Sequence, residues 1–489
     1  MAEISKHTVV TSLVWKFLER GSAQLVSFVV SLVLARLLGP TDYGIVSLVL
    51  VFTAIALVFV QGGFNTALIQ KDGATDLDYS SVLVFSLGMA LAIYLVLFLA
   101  APAVADFYGN PDVCQILRVM ALVLLPGAYN SVQVAYAEKT FQFCKLFVAN
   151  LAIAVCTGTA GIVLAFAGAG VWALVAQQLG NQLFVCMMLI FTLRWRPHLD
   201  FSAASIRELF GFGANVLAGD LLVQIFLNLR NLIVGRVFDT ATLGLFNRGH
   251  QFPAAAMQAV TGSIQEVMLP TFSGVQNDPR RVLSIVRRSV QASCFAIFPL
   301  MFGLTACAAP LVSLLLGETW AGCVPYLQVF AISYCFQPIQ IICAQAMRGL
   351  GDSGTTLKLE VVRKSTELGL MFGSITLGPV ALAASSVAAG TVSCAMALVP
   401  NVRVLGYRLR DQLADLARPL LGSIVIVACV QAVGLLSLPS TVALALQVIT
   451  GMTSYAVLMA ALHDDTMTTL VSGLRRFRAC RRGRTQEGE

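Results

Sequence analysis

Charge is what this sequence has least of. Asp, Glu, Lys and Arg make up 12% of its 489 residues, about half the share of a soluble domain, and with a mean hydropathy of +0.82 that excludes a soluble globular protein. Enzyme and pump signatures are missing too: there is no glycine loop ending in GK[ST], no HExxH helix and no GxSxG elbow. The 12 cysteines form no CxxC pair and stand singly among apolar neighbours, so neither a disulfide frame nor a metal site is expected. No cofactor and no nucleic-acid partner is implied, and the chain reads as a non-enzyme. Ten-residue alternation of the outer-membrane barrel kind is also absent.

What is present is a series of apolar runs of about 20 to 25 residues, the length that crosses a bilayer as a helix. Bounded by charge, glycine and proline, they predict spans at about 15–38, 43–64, 79–101, 113–137, 141–167 and 171–193, then 208–237, 241–269, 286–309, 323–347, 359–377 and 379–401, and finally 416–437 and 441–462. The fold class is therefore an all-α polytopic membrane protein of about 14 spans. Four parts are expected: a six-helix lobe over 1–200, a second over 201–404, two additional helices over 405–463 and a basic tail over 464–489.

Lys and Arg accumulate in cytoplasmic loops. With both termini inside, most of the 32 basic residues fall on that side, among them Lys71, Lys139, Arg194, Arg280, Arg287 and Arg408, and none sits in the body of an outer loop. The first span lacks a cleavage site and is read as retained. Outer loops are short, the longest expected around 102–112 and 310–322.

Laying the first span on the seventh with an offset of 200 exposes a repeat. Arg36 to Gly44 reads RLLGPTDYG and Arg236 to Gly244 reads RVFDTATLG, with the basic residue and the glycine equally spaced. Polar stripes agree: Lys16, Arg20, Gln24, Ser27 and Ser31 on one helix, Asp220, Gln224, Asn228 and Asn231 on the other. Six spans per half preserve orientation, so the repeat is parallel, and a substrate site is expected between the halves.

Ionisable residues inside spans cost about 2.5–3.5 kcal/mol each if they face lipid, so they are expected to face protein, water or the interface. Basic residues there outnumber acids, which suits an anionic ligand. Arg20, Gln24, Arg118, Gln224, Arg248, Arg363 and Lys364 are the substrate-cavity candidates, since guanidinium groups hold phosphate bidentately. Asp220, Glu360 and Glu367 are the ion-coupling candidates; Glu266 and His250 are weaker ones. On the eleventh span Glu360 and Lys364, and Arg363 and Glu367, stand four apart and could instead pair along the helix. Pro126, Pro253, Pro299 and Pro338 could be hinges or fixed kinks.

Three stretches carry a family resemblance: LARLLGPTDYG (Leu34 to Gly44), NLIVGRVFDTATLGLFNRGHQFP (Asn231 to Pro253) and LPTFSGVQNDPRRV (Leu269 to Val282). The chain resembles the polysaccharide transporters of the MOP flippase superfamily, the Wzx-like lipid-linked oligosaccharide flippases. That resemblance implies a MATE-like fold of two six-helix lobes in the inner membrane. It also implies translocation of undecaprenyl pyrophosphate-linked repeat units, for exopolysaccharide or lipopolysaccharide, alongside membrane lipids and with polysaccharide polymerase and export machinery as partners. Where relatives often carry an acid between Asn228 and Gly235, this chain has Arg230. The rival readings are a multidrug antiporter of the same fold, a lipid II flippase, and a membrane polysaccharide polymerase or ligase.

Overall fold

The computed structural model describes residues 26–462, apart from 141, 194, 197, 199, 274, 276, 277, 351, 352, 437 and 438; in some helical stretches, chiefly 143–151 and 262–267, it describes the backbone alone. Arg20, Gln24, Glu19, Lys16 and the tail lie outside the described residues. The described residues are helical and contain no strand. Among the described residues ten helical segments are long and apolar enough to cross a membrane, from Pro40–Gln70 to Ser440–Ala461, with Val26–Leu37 and Ala152–Phe166 as shorter apolar helices.

The chain divides into two compact units, 1–244 and 245–489. The first contains α1 (Val26–Leu37), α2 (Pro40–Gln61), α3 (Phe64–Gln70), α4 (Asp76–Tyr108), α5 (Asp112–Met120), α6 (Leu124–Lys139), α7 (Phe143–Phe166), α8 (Val171–Thr192) and α9 (Ala203–Val237). Helix α10 (Thr240–Ser273) begins there and continues into the second unit. That unit holds α11 (Pro279–Ala306), α12 (Ala308–Leu315), α13 (Val324–Tyr334), α14 (Gln337–Gly349), α15 (Ser353–Ser374), α16 (Pro379–Leu405), α17 (Leu409–Gly434) and α18 (Ser440–Ala461).

The repeat is written in the backbone. Helices α1 and α9 end at residues 37 and 237, and α2 and α10 start at 40 and 240. Burial repeats as well: Leu34 and Ala35 are buried before exposed Arg36, as are Val234 and Gly235 before exposed Arg236. Further along, proline placement repeats. Pro102 lies inside α4 and Pro299 inside α11. The next segment of each half is broken, by a 3-10 turn at Ala121–Val123 between α5 and α6 and by a two-residue turn at Cys335–Phe336 between α13 and α14, where Pro338 opens the new helix.

A proline inside a helix orphans the carbonyl four residues back, and both halves satisfy it in the same way. The Phe98 carbonyl accepts from Arg118 Nε at 3.3 Å, with the guanidinium 4.4 Å above the Phe98 ring. The Phe295 carbonyl accepts from the Tyr455 hydroxyl at 2.9 Å, with the two rings 5.3 Å apart. This explains one departure from expectation. Helix α4 does not stop near residue 101 but runs to Tyr108, because the lost hydrogen bond is replaced. The expected outer loop at 310–322 is likewise mostly structured, by α12 and the 3-10 turn Glu318–Cys323.

The two additional helices dock on α11. Ile426, Val430, Tyr455 and Met459 pack with Ala306 and Cys307, and near the opposite end Asp415 receives Arg287 through two bonds of 2.6 and 2.8 Å, Gln291 Nε2 at 2.9 Å and the Tyr407 hydroxyl. The Asp415 side chain is 7% exposed, so removing Arg287 strips a nearly buried carboxylate of its cation. Arg287→Ala is expected to destabilise the protein by about 2 kcal/mol, the scale of a charged hydrogen bond. The check is thermal unfolding in detergent, where Arg287→Lys should recover only part of the loss because an ammonium cannot repeat the two-bond contact.

Candidate functional site

The predicted site residues divide by what surrounds them. Arg118, an expected cavity residue, faces its own unit: it caps the Phe98 carbonyl and stacks on the Phe98 ring. A double-mutant cycle separates that role from substrate contact. Arg118→Ala is expected to cost about 1 kcal/mol in wild type and clearly less with Pro102→Ala, which restores the helix N–H and makes the cap redundant. Equal losses in both backgrounds would remove the cap.

Arg248 is 4% exposed. Its guanidinium lies 5.3 Å from the Trp320 ring and donates to Gln251 Oε1. It belongs to the packing of α10 on α13, beside His250, which shares a 2.8 Å hydrogen bond with the Tyr334 hydroxyl and meets Phe330 edge-on at 4.9 Å. The repeat carries the signal for this: its counterpart 200 residues back is Leu48, a fully buried core residue.

On α15 the charges pair, with partners exchanged relative to expectation. Arg363 bonds Glu360 through Nε at 3.1 Å and Lys364 bonds Glu367 at 3.0 Å, both three residues apart rather than four. Arg363 also reaches Gln340 Oε1 at 3.3 Å. Glu360, Arg363 and Gln340 line a small cavity with Ser393, Met396 and Pro400. Pro400 leaves the Met396 carbonyl without its helical donor. The result is a small, mostly apolar pocket edged by the Glu360–Arg363 ion pair and Gln340.

The stripe on α9 is different. Asp220 is exposed near the midpoint of a 35-residue helix, with Gln224 and Asn228 one and two turns further on, and Asn228 Nδ2 bonds the Gln224 carbonyl at 2.8 Å. An amide and a carboxylate at this depth are costly against lipid and suited to a water-filled cavity.

Residues missed from sequence tie the start of α9 to the end of α3 and the first turns of α4. Lys71 sits between Glu208 Oε2 at 2.9 Å and Asp78 Oδ1 at 3.1 Å; Glu208, then Asp78, raise its pKa above the ordinary lysine value. The chain entering α9 is pinned to the first turns of α4: Trp195 Nε1 donates to Asp76 at 3.0 Å, His198 N to Ser80 Oγ at 3.2 Å and Ser202 N to Ser81 Oγ at 2.9 Å. Trp195 stacks on Tyr136 with centroids 5.6 Å apart. The glycines of the repeat also meet. A methyl group on Gly44 would lie 1.6 Å from the Thr240 carbonyl oxygen, and one on Gly244 would lie 1.9 Å from that of Pro40.

The described residues thus form a many-helix membrane bundle with an internal repeat and a polar stripe near the middle of α9. The structure is similar to the lipid II flippase MurJ in an inward closed conformation, with a TM-score of 0.75 and 13% identity, covering 93% of this chain and 99% of that one, and to a multidrug resistance MATE family transporter of the MOP superfamily in an inward-facing conformation, with a TM-score of 0.59 and 15% identity, covering 80% of this chain and 98% of that one. The family model described as polysaccharide biosynthesis protein matches residues 33–325, and the chain belongs to that family. It is 25% identical over 68% of its length to the succinoglycan biosynthesis transport protein ExoT of Rhizobium meliloti, spanning 67% of that protein. It is 22% identical to the lipopolysaccharide biosynthesis protein WzxC of Escherichia coli, over 61% of each chain.

Proposed function

We propose that this chain is an inner-membrane flippase, a transporter rather than an enzyme, that moves a polyprenyl pyrophosphate-linked oligosaccharide repeat unit from the cytoplasmic to the periplasmic leaflet. The observation that carries the reading is membership of the polysaccharide biosynthesis family over residues 33–325, on a fold similar to a lipid II flippase along 93% of the chain. In this reading fourteen spans form two six-helix lobes and an additional pair, both termini are cytoplasmic, and polymerase and export machinery take the product onward. Arg20 contacts the pyrophosphate, Gln24, Gln224 and Asn228 face the sugars, and Asp220 couples movement to an ion. Arg248, given its enclosure, holds α10 in place rather than touching substrate, and the α15 acids neutralise their neighbours.

The test is mass spectrometry of lipid extracts from a strain lacking the protein, together with secreted polysaccharide. Accumulation of complete repeat units on the polyprenyl carrier with loss of secretion, reversed by the wild-type chain and not by Arg20→Glu, is the expected result. Normal intermediates and normal secretion would overturn it in favour of drug efflux.

A further inference from the structure

We propose that the inner ends of α11 and α17 form a binding site for an anionic phospholipid of the bilayer, preferentially one with two phosphate groups. The inference goes beyond the transport reading and takes the inner side from the distribution of basic residues. Its test needs no oligosaccharide, so it can fail or succeed independently of what is carried.

The two helices run side by side in the same direction. Arg287 and Gln291 of α11 meet Asp415 of α17, and further along Ala306 and Cys307 pack with Ile426 and Val430. Seven residues back from Arg287 and from Asp415 stand Arg280 and Arg408, side by side and about 10 Å nearer the aqueous face at the rise of a helix. Arg281 and Arg410 flank them, and Arg288 and Arg418 follow along the two helices, where long side chains run back to the interface. All six are exposed, and against them residues 278–291 and 408–418 carry two exposed acids, Asp278 and Asp411, for a net charge of +4 once Arg287 and Asp415 cancel. Among the described residues only Arg281 of the six has an ion-pair partner, Asp278 at 3.5 Å.

Cations gathered at helix starts call for an anion. Each N-terminus already carries about half a positive charge, and here two stand together. Helix α4, which corresponds to α11 in the first half of the repeat, has the favourable arrangement: its first turn holds Asp76 and Asp78. The cations near it are occupied, Lys71 by Asp78 and Glu208, and Lys139 by the carbonyls of Leu68 and Lys71. The first turn of α11 holds no acid. Phosphate suits arginine forks, which bind it through two bonds at once, and the adjoining surface makes it a lipid phosphate. Helix α11 has 28 residues, about 42 Å, so its first turns stand at headgroup level while the rest crosses a hydrocarbon core of about 30 Å. On α17 Leu409, Leu413 and Leu420 are 51%, 54% and 38% exposed along one face, a track for an acyl chain leading from Arg408 and Arg410 into the core. A lipid with two phosphates bridges the arginines of both helices and so holds the additional pair to α11.

Titration of the full chain in detergent, read by native mass spectrometry, tests the site with cardiolipin, phosphatidylglycerol, phosphatidylcholine and inorganic pyrophosphate as probes. Cardiolipin is expected to fill a saturable site at least about tenfold more tightly than phosphatidylglycerol, and phosphatidylcholine to leave it empty. Arg280→Gln with Arg408→Gln should weaken cardiolipin at least about tenfold, whereas Arg348→Gln with Lys358→Gln, which removes the same charge from exposed positions on α14 and α15, should change it by less than about twofold. Equal losses in the two double variants would show diffuse attraction to the whole basic face, and undiminished binding in the first would put the lipid elsewhere; either overturns the proposal. Displacement of cardiolipin by an equal concentration of pyrophosphate also overturns it, because the site would then be one for a soluble anion. If the arginine variant fails to accumulate, Leu413→Ser with Leu420→Ser decides: cardiolipin should weaken at least about threefold as the acyl track is lost, and unchanged binding overturns the proposal.

Discussion

Gly249→Val is expected to be among the most damaging single substitutions in the second unit. A Cβ at Gly249 would lie 2.6 Å from the Tyr326 Cβ, 2.8 Å from the Leu327 backbone nitrogen and 3.0 Å from the Cys323 carbonyl oxygen. All three lie where the 3-10 turn Glu318–Cys323 joins α13, whose first turn Val324 and Pro325 fix, so no rotamer change can make room. Overpacking costs about 1–3 kcal/mol where side chains can yield; here backbone must move, and the loss should be about 3 kcal/mol or more. Arg248 on Trp320, and Phe246 against Tyr326 and Phe330 at 5.6 and 5.0 Å, lie on the same seam and would be prised apart with it. The measurement is the membrane level and thermal unfolding of the variant beside Gly303→Ala. Gly303 has open space around it, so an alanine there should be neutral or stabilising by up to about 1 kcal/mol. Similar behaviour of the two variants would show that α10 is not held to α13 by close approach.

The same seam shows how far the sequence could be read. The 200-residue offset predicted that α1–α2 and α9–α10 share a plan, and helix ends, buried positions and the paired glycines follow it. Such a repeat is legible because it fixes spacing. The environment of a single charge is not. Arg248 was an expected substrate contact because a charge in a span signals function; it occupies the register of buried Leu48 and is itself 4% exposed, with the ring of Trp320, far away in sequence, 5.3 Å from its guanidinium. Arg118 needed two facts at once, that α4 continues through Pro102 and that α5 passes the resulting kink.

On α15 the pattern gave ion pairing but not partners. Three- and four-residue spacings are both neighbours on a helix, and the choice fell to the contact of Arg363 with Gln340 on another helix. Lys71, Asp78 and Glu208 gave no signal in sequence, because their proximity depends on how the chain returns from α8 to α9 across the end of α4. The polar stripe of α9 was readable by periodicity alone; in the structure Asp220 is exposed, while Gln224, Asn228 and Asn231 are half-buried beside exposed Leu222, Val223 and Leu227.

Asp220→Leu should separate stability from transport. The carboxylate stands exposed near the middle of α9, with Leu222 and Val223 exposed beside it, and a charge at such a depth costs about 2.5–3.5 kcal/mol when lipid is its neighbour. Replacing it by leucine removes that cost, so unfolding temperature should hold or rise. If Asp220 served only the fold, export would follow stability and hold as well. The coupling role proposed for Asp220 predicts the opposite, because leucine carries no charge to engage an ion. Polysaccharide export by the Asp220→Leu strain, normalised to protein in the membrane, is expected to fall at least about tenfold, equivalent to about 1.4 kcal/mol of lost coupling. Asp220→Glu keeps the charge and should retain a measurable part. Wild-type export by the leucine variant would take Asp220 out of the cycle and leave the expense of its position to be explained by the shape of the α9 stripe, where Gln224 and Asn228 would then have to recognise the sugar without help from a charge.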